Sequence, residues 1–184
     1  MGFRKVETTV SGVFLIEPDV FGDARGYFLE LYNQQSFEAI GLGHLQFVQD
    51  NLSYSGKGTL RGLHFQAPPH SQGKLVAPLE GRVLDVVVDI RQDSPTYGQS
   101  YCVELDAASR QILYVPEGFA HGFQVLSETC LFFYKCTNNY QRKAEGGIAW
   151  DDPHLAIPWR DIPPVLSPKD MLHPRWSDFT TPFV

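Results

Sequence analysis

Apolar and polar residues alternate along much of this chain with a period of two, which is the pattern of strands rather than helices. Residues 81–91, GRVLDVVVDIR, are the strongest strand signal. Leu84, Val86, Val88 and Ile90 share one face, and Val83, Asp85, Val87 and Asp89 share the other. Related runs predict strands at 12–17, 27–32, 45–52, 60–66, 74–79, 99–105, 111–115, 130–137 and 146–150. Gly22-Asp23 and Arg25-Gly26 mark turns, and 53–58 reads as another. Pro68 and Pro69 separate two strands, because proline cannot donate to a ladder. The segment 116–122, PEGFAHG, is rich in turn residues and carries His121. A helix is expected over 33–42, with Ser36 as cap, Phe37 and Ile40 as its apolar side, and Gly41 or Gly43 ending it. From Asp151 the chain becomes a tail rich in Pro and Trp. There Ser167-Pro168-Lys169-Asp170 resembles a helix start.

Many short strands with few helices point to an all-β sandwich or barrel, and a jelly roll with a few short helices fits best. The 184 residues suit a single domain, 1–184, with an extended C-terminal tail. Hydrophobic residues at 43% and charged residues at 20% fit a globular protein and exclude a disordered one. The net charge of -6, without a Lys/Arg run, argues against nucleic-acid and membrane partners. An anionic small substrate would need a local cluster of cations. Cys102, Cys130 and Cys136 lack CxxC spacing, so free thiols in a reducing compartment are expected. The N-terminus lacks a signal-peptide apolar region, and no apolar run approaches the ~20 residues of a membrane helix. A cytoplasmic protein is the expectation.

The candidate chemistry concentrates at 58–76, GTLRGLHFQAPPHSQGKLV, which holds Arg61, His64, Gln66, His70 and Lys74. His64 is either a hydrogen-bonded structural residue or a proton acceptor near neutral pH. Arg61 and Lys74 are cations of the kind that bind phosphate or stabilise an enolate. Asp85 lies amid Val and Leu and must be paired if its face is buried. His121 is the proposed partner. Tyr134 shares a face with Phe132 and Cys136, and is either a core hydroxyl or a proton donor into a pocket, with Tyr140 near the mouth. A metal site would need His64, His70 and His121 to converge, but the His-x-His pair usual in such barrels is missing; no metal is expected.

Six segments then resemble one family in order and spacing. They are Asp23-x-Arg25-Gly26-x-Phe28-x-Glu30, Gln49-Asp50-Asn51, residues 60–66 LRGLHFQ, residues 72–76 QGKLV, residues 116–123 PEGFAHGF, and Tyr134-Lys135-x-Thr137. Together they are similar to the dTDP-4-dehydrorhamnose 3,5-epimerases over about residues 10–172. The resemblance implies a cupin jelly roll, a homodimer, and no metal or organic cofactor. It implies a dTDP-linked 4-keto-6-deoxy sugar as substrate, inverted at C3 and C5. By the same resemblance His64 is the base, Asp170 its orienting acid, Tyr134 the general acid and Lys74 the cation at the sugar carbonyl. Arg25, Glu30, Gln49, Asn51, Arg61, His121, Glu145 and Lys169 match substrate-binding positions. Tyr140, Phe21 and Phe28 are candidates to stack on thymine. The loop 67–71, APPHS, departs from the pattern and leaves His70 without a role; the tail after Asp170 falls outside the match. An epimerase acting at one centre is the near alternative. A carbohydrate-binding module would explain the aromatics but not the His64, Lys74 and Asp170 set.

Overall fold

The structure is a computed structural model that describes residues 2–184. It opens with strands β1 (Phe3–Glu7) and β2 (Phe14–Pro18), a hairpin of β3 (Val20–Asp23) and β4 (Gly26–Leu29), and the helix α1 (Gln34–Ala39). There follow β5 (Gln49–Gly56), β6 (Leu60–Gln66), β7 (Lys74–Glu80), β8 (Arg82–Asp89), β9 (Ser100–Asp106) and β10 (Ile112–Val115). The series ends with β11 (Phe119–Val125), β12 (Thr129–Cys136) and β13 (Glu145–Gly147). One antiparallel sheet runs β1-β2-β10-β7-β12-β5, and the other runs β13-β6-β11-β8-β9. Consecutive strands are often not neighbours, and the two sheets pack face to face. This is the cupin-type jelly roll.

Alternation sorts each strand into an inner and an outer face. Val76, Leu113, Val115 and Phe132 from one sheet meet Val83, Val87, Leu105 and Phe123 from the other in the interior cluster. The other face of β8 is as apolar. Leu84, Val86, Val88 and Ile90 join Leu63, Phe65 and Ile148 in a second cluster, against which Trp159, Ile162, Trp176, Phe179 and Phe183 of the tail pack. The tail is therefore the third layer of the fold, and covers a sheet face that would otherwise be exposed. On the far sheet α1 does the same work: Phe37 is buried with Ile16, Leu75, Ile112 and Tyr114. Burying each such side chain contributes roughly 1.5–3 kcal/mol.

Four local expectations change. Residues 53–56 continue β5 rather than turning. The 116–122 segment is a turn only at its start: Phe119–Val125 is a wholly buried strand. Gly122 is needed there for close approach, since a Cβ on it would meet Arg61 O at 2.7 Å. Asn33, not Ser36, caps α1, accepting from the Ser36 N–H at 3.2 Å. The expected helix start at Ser167 gives only a 3-10 turn, Asp170–Leu172; His173-Pro174 follows, and the residue before a proline is driven extended.

Candidate active site

Between the sheets lies a cavity of 120 Å³. Arg61 and His64 of β6 and His121 of β11 line it from one sheet; Ser53 of β5, Lys74 of β7 and Tyr134 of β12 line it from the other. The registers explain the second group. Tyr134 stands opposite Val76 on one side and Asn51 on the other, and Cys136 stands opposite Lys74 and Gln49. Gln49, Asn51, Lys74 and Tyr134 thus share the inner face. On β6 strict alternation would put Arg61 and His64 on opposite faces, because they are three apart. The ladder with β11 slips instead: His121 pairs with His64, but Phe123 pairs with Arg61. Gly62, at φ +126, sits at the slip, a backbone conformation that disfavours any side chain. This irregularity lets both residues line one cavity.

His64 is held from outside the barrel. Its Nε2 is hydrogen-bonded to Asp170 Oδ1. Asp170 Oδ2 accepts from Ser167 Oγ at 2.7 Å. With Nε2 committed, Nδ1 is the ring nitrogen left for a substrate. Burial disfavours the imidazolium and holds His64 below its ordinary range, with Lys74 and Lys169 pushing the same way and Asp170 opposing. Burial also raises Asp170, but its donors and the neighbouring imidazoles outweigh that and keep it far below the usual carboxylate range. Burial therefore favours the neutral imidazole at His64 beside an ionised carboxylate at Asp170.

The cations differ from most in this protein. Among the described residues, no carboxylate lies within ion-pair distance of Lys74 or Arg61. Arg61 is held by Ser55 Oγ, at 3.0 Å from Nη2. Burial lowers the Lys74 ammonium from its ordinary value. In a protein of net charge -6 these are two unneutralised positive groups aimed at one space. Burial pushes the Tyr134 phenol up, so it stays protonated and able to donate. His121 and Asp85 form the expected pair, with Nε2 at 3.0 and 3.1 Å from the two carboxylate oxygens.

The other sequence-derived candidates divide. Gln49 accepts the Tyr140 N–H at 2.8 Å, Tyr140 donates its hydroxyl to Glu145 at 3.1 Å, and Glu145 is paired with Lys169. These four form a polar rim connected to the inner face through the Gln49–Asn51 hydrogen bond of 2.9 Å. Arg25 and Glu30 are not brought to the cavity. Arg25 is exposed on the β3–β4 hairpin and bonded to Asp23, and Glu30 accepts from Asn33 at 3.0 Å. His70 also lies away from it. Two residues near the base were not singled out from the sequence: Ser53, whose buried hydroxyl has no partner, and His173, whose Nε2 has none either. His173 was legible only as a histidine three residues after Asp170. Ligand-type atoms of His64, Asp170 and His173 lie within 4.8 Å of one another. Both Asp170 oxygens already accept hydrogen bonds, from His64 and from Ser167.

This jelly roll has close counterparts. A family model for dTDP-4-dehydrorhamnose 3,5-epimerase matches residues 7–178. The protein of that name from Salmonella typhimurium is 50% identical over 170 residues, covering 92% of this chain and 93% of its own. The crystal structure of the protein of that name from Elizabethkingia anophelis superposes with a TM-score of 0.90 at 49% identity, covering 97% of this chain and 98% of the other. The Legionella pneumophila dTDP-6-deoxy-D-glucose-3,5-epimerase, solved in complex with dTDP-4-keto-L-rhamnose, gives 0.92 at 43% identity, covering 97% and 95%. Through nearly its whole length, this chain belongs to the dTDP-4-dehydrorhamnose 3,5-epimerase family.

Proposed function

We propose that the protein inverts C3 and C5 of dTDP-4-dehydro-6-deoxy-D-glucose, giving dTDP-4-dehydro-L-rhamnose. The observation that carries this is the placement of His64 and Tyr134 on opposite walls of one cavity, with Lys74 beside them. A C–H next to a ketone is acidic enough to lose only if the enolate is stabilised, and a fixed ammonium at the C4 oxygen does that. His64 Nδ1 takes the proton from one face of the sugar. Tyr134 donates one to the opposite face, and the centre is inverted. The imidazolium formed is stabilised by Asp170, which also fixes the tautomer, as the acid of a serine-protease triad does. Arg61 suits the diphosphate, and the rim of Gln49, Asn51, Tyr140, Glu145 and Lys169 suits the sugar and nucleotide. The sealed His121–Asp85 pair fixes a wall of the pocket. No step needs a metal or an organic cofactor.

The whole chain is read as one epimerase domain, acting in the cytoplasm as a homodimer. β5 is an edge strand that exposes Leu52 and Tyr54, and the β3–β4 hairpin exposes Phe21, Tyr27 and Phe28. An unpaired apolar edge of this kind favours association. Arg25 and Glu30, remote from their own cavity, would serve the partner's. Sedimentation at micromolar concentration tests the assembly, and a monomer would refute that assignment.

Proton NMR of the dTDP-keto sugar in deuterated water tests the activity. Deuterium entry with inversion at both C3 and C5 is expected. Exchange at a single centre would identify a mono-epimerase, and binding without exchange would reduce the protein to a carbohydrate-binding module.

A further inference from the structure

Asp170 serves more than one imidazole. His173 directly follows the 3-10 turn of Asp170, with Nε2 3.7 Å from the Asp170 Oδ1 that also bonds His64. That is about half an ångström beyond hydrogen-bond range. The nitrogen is buried and has no other partner, which is rare enough in folded proteins to ask for a reason. The His173 ring meets the His64 ring edge to face, with centroids 5.4 Å apart. It lies against Gly147, the residue paired with His64 across the β13–β6 ladder. Any Cβ at 147 would overlap this ring, so the seat exists only because that position is glycine.

We propose that His173 is a positioning residue: a second, competing donor to Asp170 Oδ1 that limits how strongly the carboxylate holds a proton on His64. When His64 is neutral its Nε2–H bonds Oδ1, and His173 draws on the same oxygen from 3.7 Å. When His64 has taken a proton from substrate on Nδ1, the imidazolium tightens its own bond to Oδ1 and weakens the pull of His173. The competition therefore opposes lasting protonation of the base and favours its return to neutral between turnovers. The charged groups around His64 are Asp170 and Lys169 from the tail, Lys74 from β7 and Glu145 from β13; His121 is its neighbour on β11. Arg142 and Asp178 border the space beside His173. None of these is changed by substitution of His173 itself.

The inference rests on His64 being the base, so its test begins without substrate. The His64 imidazole is titrated by NMR in the full-length protein and in His173→Phe, which keeps a ring on Gly147 but removes the donor. Without a competitor the carboxylate bears fully on His64, which should titrate higher by about 0.5–1 pH unit. His173→Gln, which restores an N–H donor, should recover at least half of that shift. With substrate, the acid limb of kcat/KM should move up by the same amount in His173→Phe, with kcat down about threefold to tenfold and KM unchanged. An unmoved His64 titration in folded His173→Phe would overturn the proposal. If that variant does not fold, the wild type decides: Asp170→Asn must shift the titration of His173 as well as that of His64, and an unshifted His173 refutes the sharing. Absence of turnover in the wild type would defeat the epimerase reading alone, since the titrations stand without it.

Discussion

Two histidine–aspartate pairs stand side by side in this protein, on strands that face each other in register at His64 and His121. They differ in access and in the origin of the acid. His121 and Asp85 are more deeply buried, with side chains 8% and 0% exposed, and both belong to the sheet. His64 is 25% exposed at the cavity wall, and its acid, Asp170, comes from the tail more than a hundred residues later. The same two groups therefore do different work. In the proposed mechanism the buried pair fixes a wall of the cavity, and the pair with one open ring nitrogen is the one that moves protons.

The largest contrast should appear on removing each histidine. His64→Asn is expected to lower kcat about 10³-fold, the scale of a lost general base. His121→Asn should cost about tenfold, measured by the same deuterium-exchange assay. Equal losses would erase the distinction. Stability should divide the other way. Asp85→Ala, which breaks a fully buried pair, should cost about 3 kcal/mol in urea unfolding. Asp170→Ala should cost clearly less but remove most turnover.

The pH behaviour sharpens the contrast further. Burial keeps His64 below its ordinary range, so the acid limb of kcat/KM should lie below about pH 6.5. Asp170→Asn removes the group that favours the imidazolium, so the limb should move to still lower pH while kcat falls. The Asp170 carboxyl is depressed in the folded protein, so its stabilisation is present above about pH 3.9 and is lost as pH falls towards its folded value. The stability gap between wild type and Asp170→Asn should accordingly narrow in acid, as urea titrations below pH 4 would show. The smallest effect belongs to the rim. Tyr140→Phe deletes the 3.1 Å bond to Glu145 and should change KM about twofold to threefold.

Local pattern made much of this legible and failed in physically definite places. Alternation located most strands and the two faces of β8, and the cost of a buried unpaired carboxylate led from Asp85 to His121. Alternation could not place Arg61 and His64 together, because that depends on a register slip that only the β6–β11 pairing reveals. Glycine misled at 122: the chain needs it for backbone contact with β6, whereas a local rule takes it for a turn. The link from Asp170 to His64 has no local signature, and only the family resemblance supplied it. His173 escaped because its meaning lies in the docking of the tail against Gly147. The β3–β4 hairpin was readable as turns and one strand, but not that Val20–Asp23 would be its other strand or that it would carry Arg25 away from its own cavity.

The tail has one further consequence, for biogenesis. Synthesis runs from the N-terminus, and domains begin to fold as they emerge. Asp170 follows every strand described above, so the sheets leave the ribosome before the base has its acid. The segment that delivers this acid also covers Leu84, Val86, Val88 and Ile90. A chain interrupted after β13 would lack the partner of His64 and leave that apolar face uncovered. Delivery of Asp170 to His64 and concealment of the outer apolar face are thus one event.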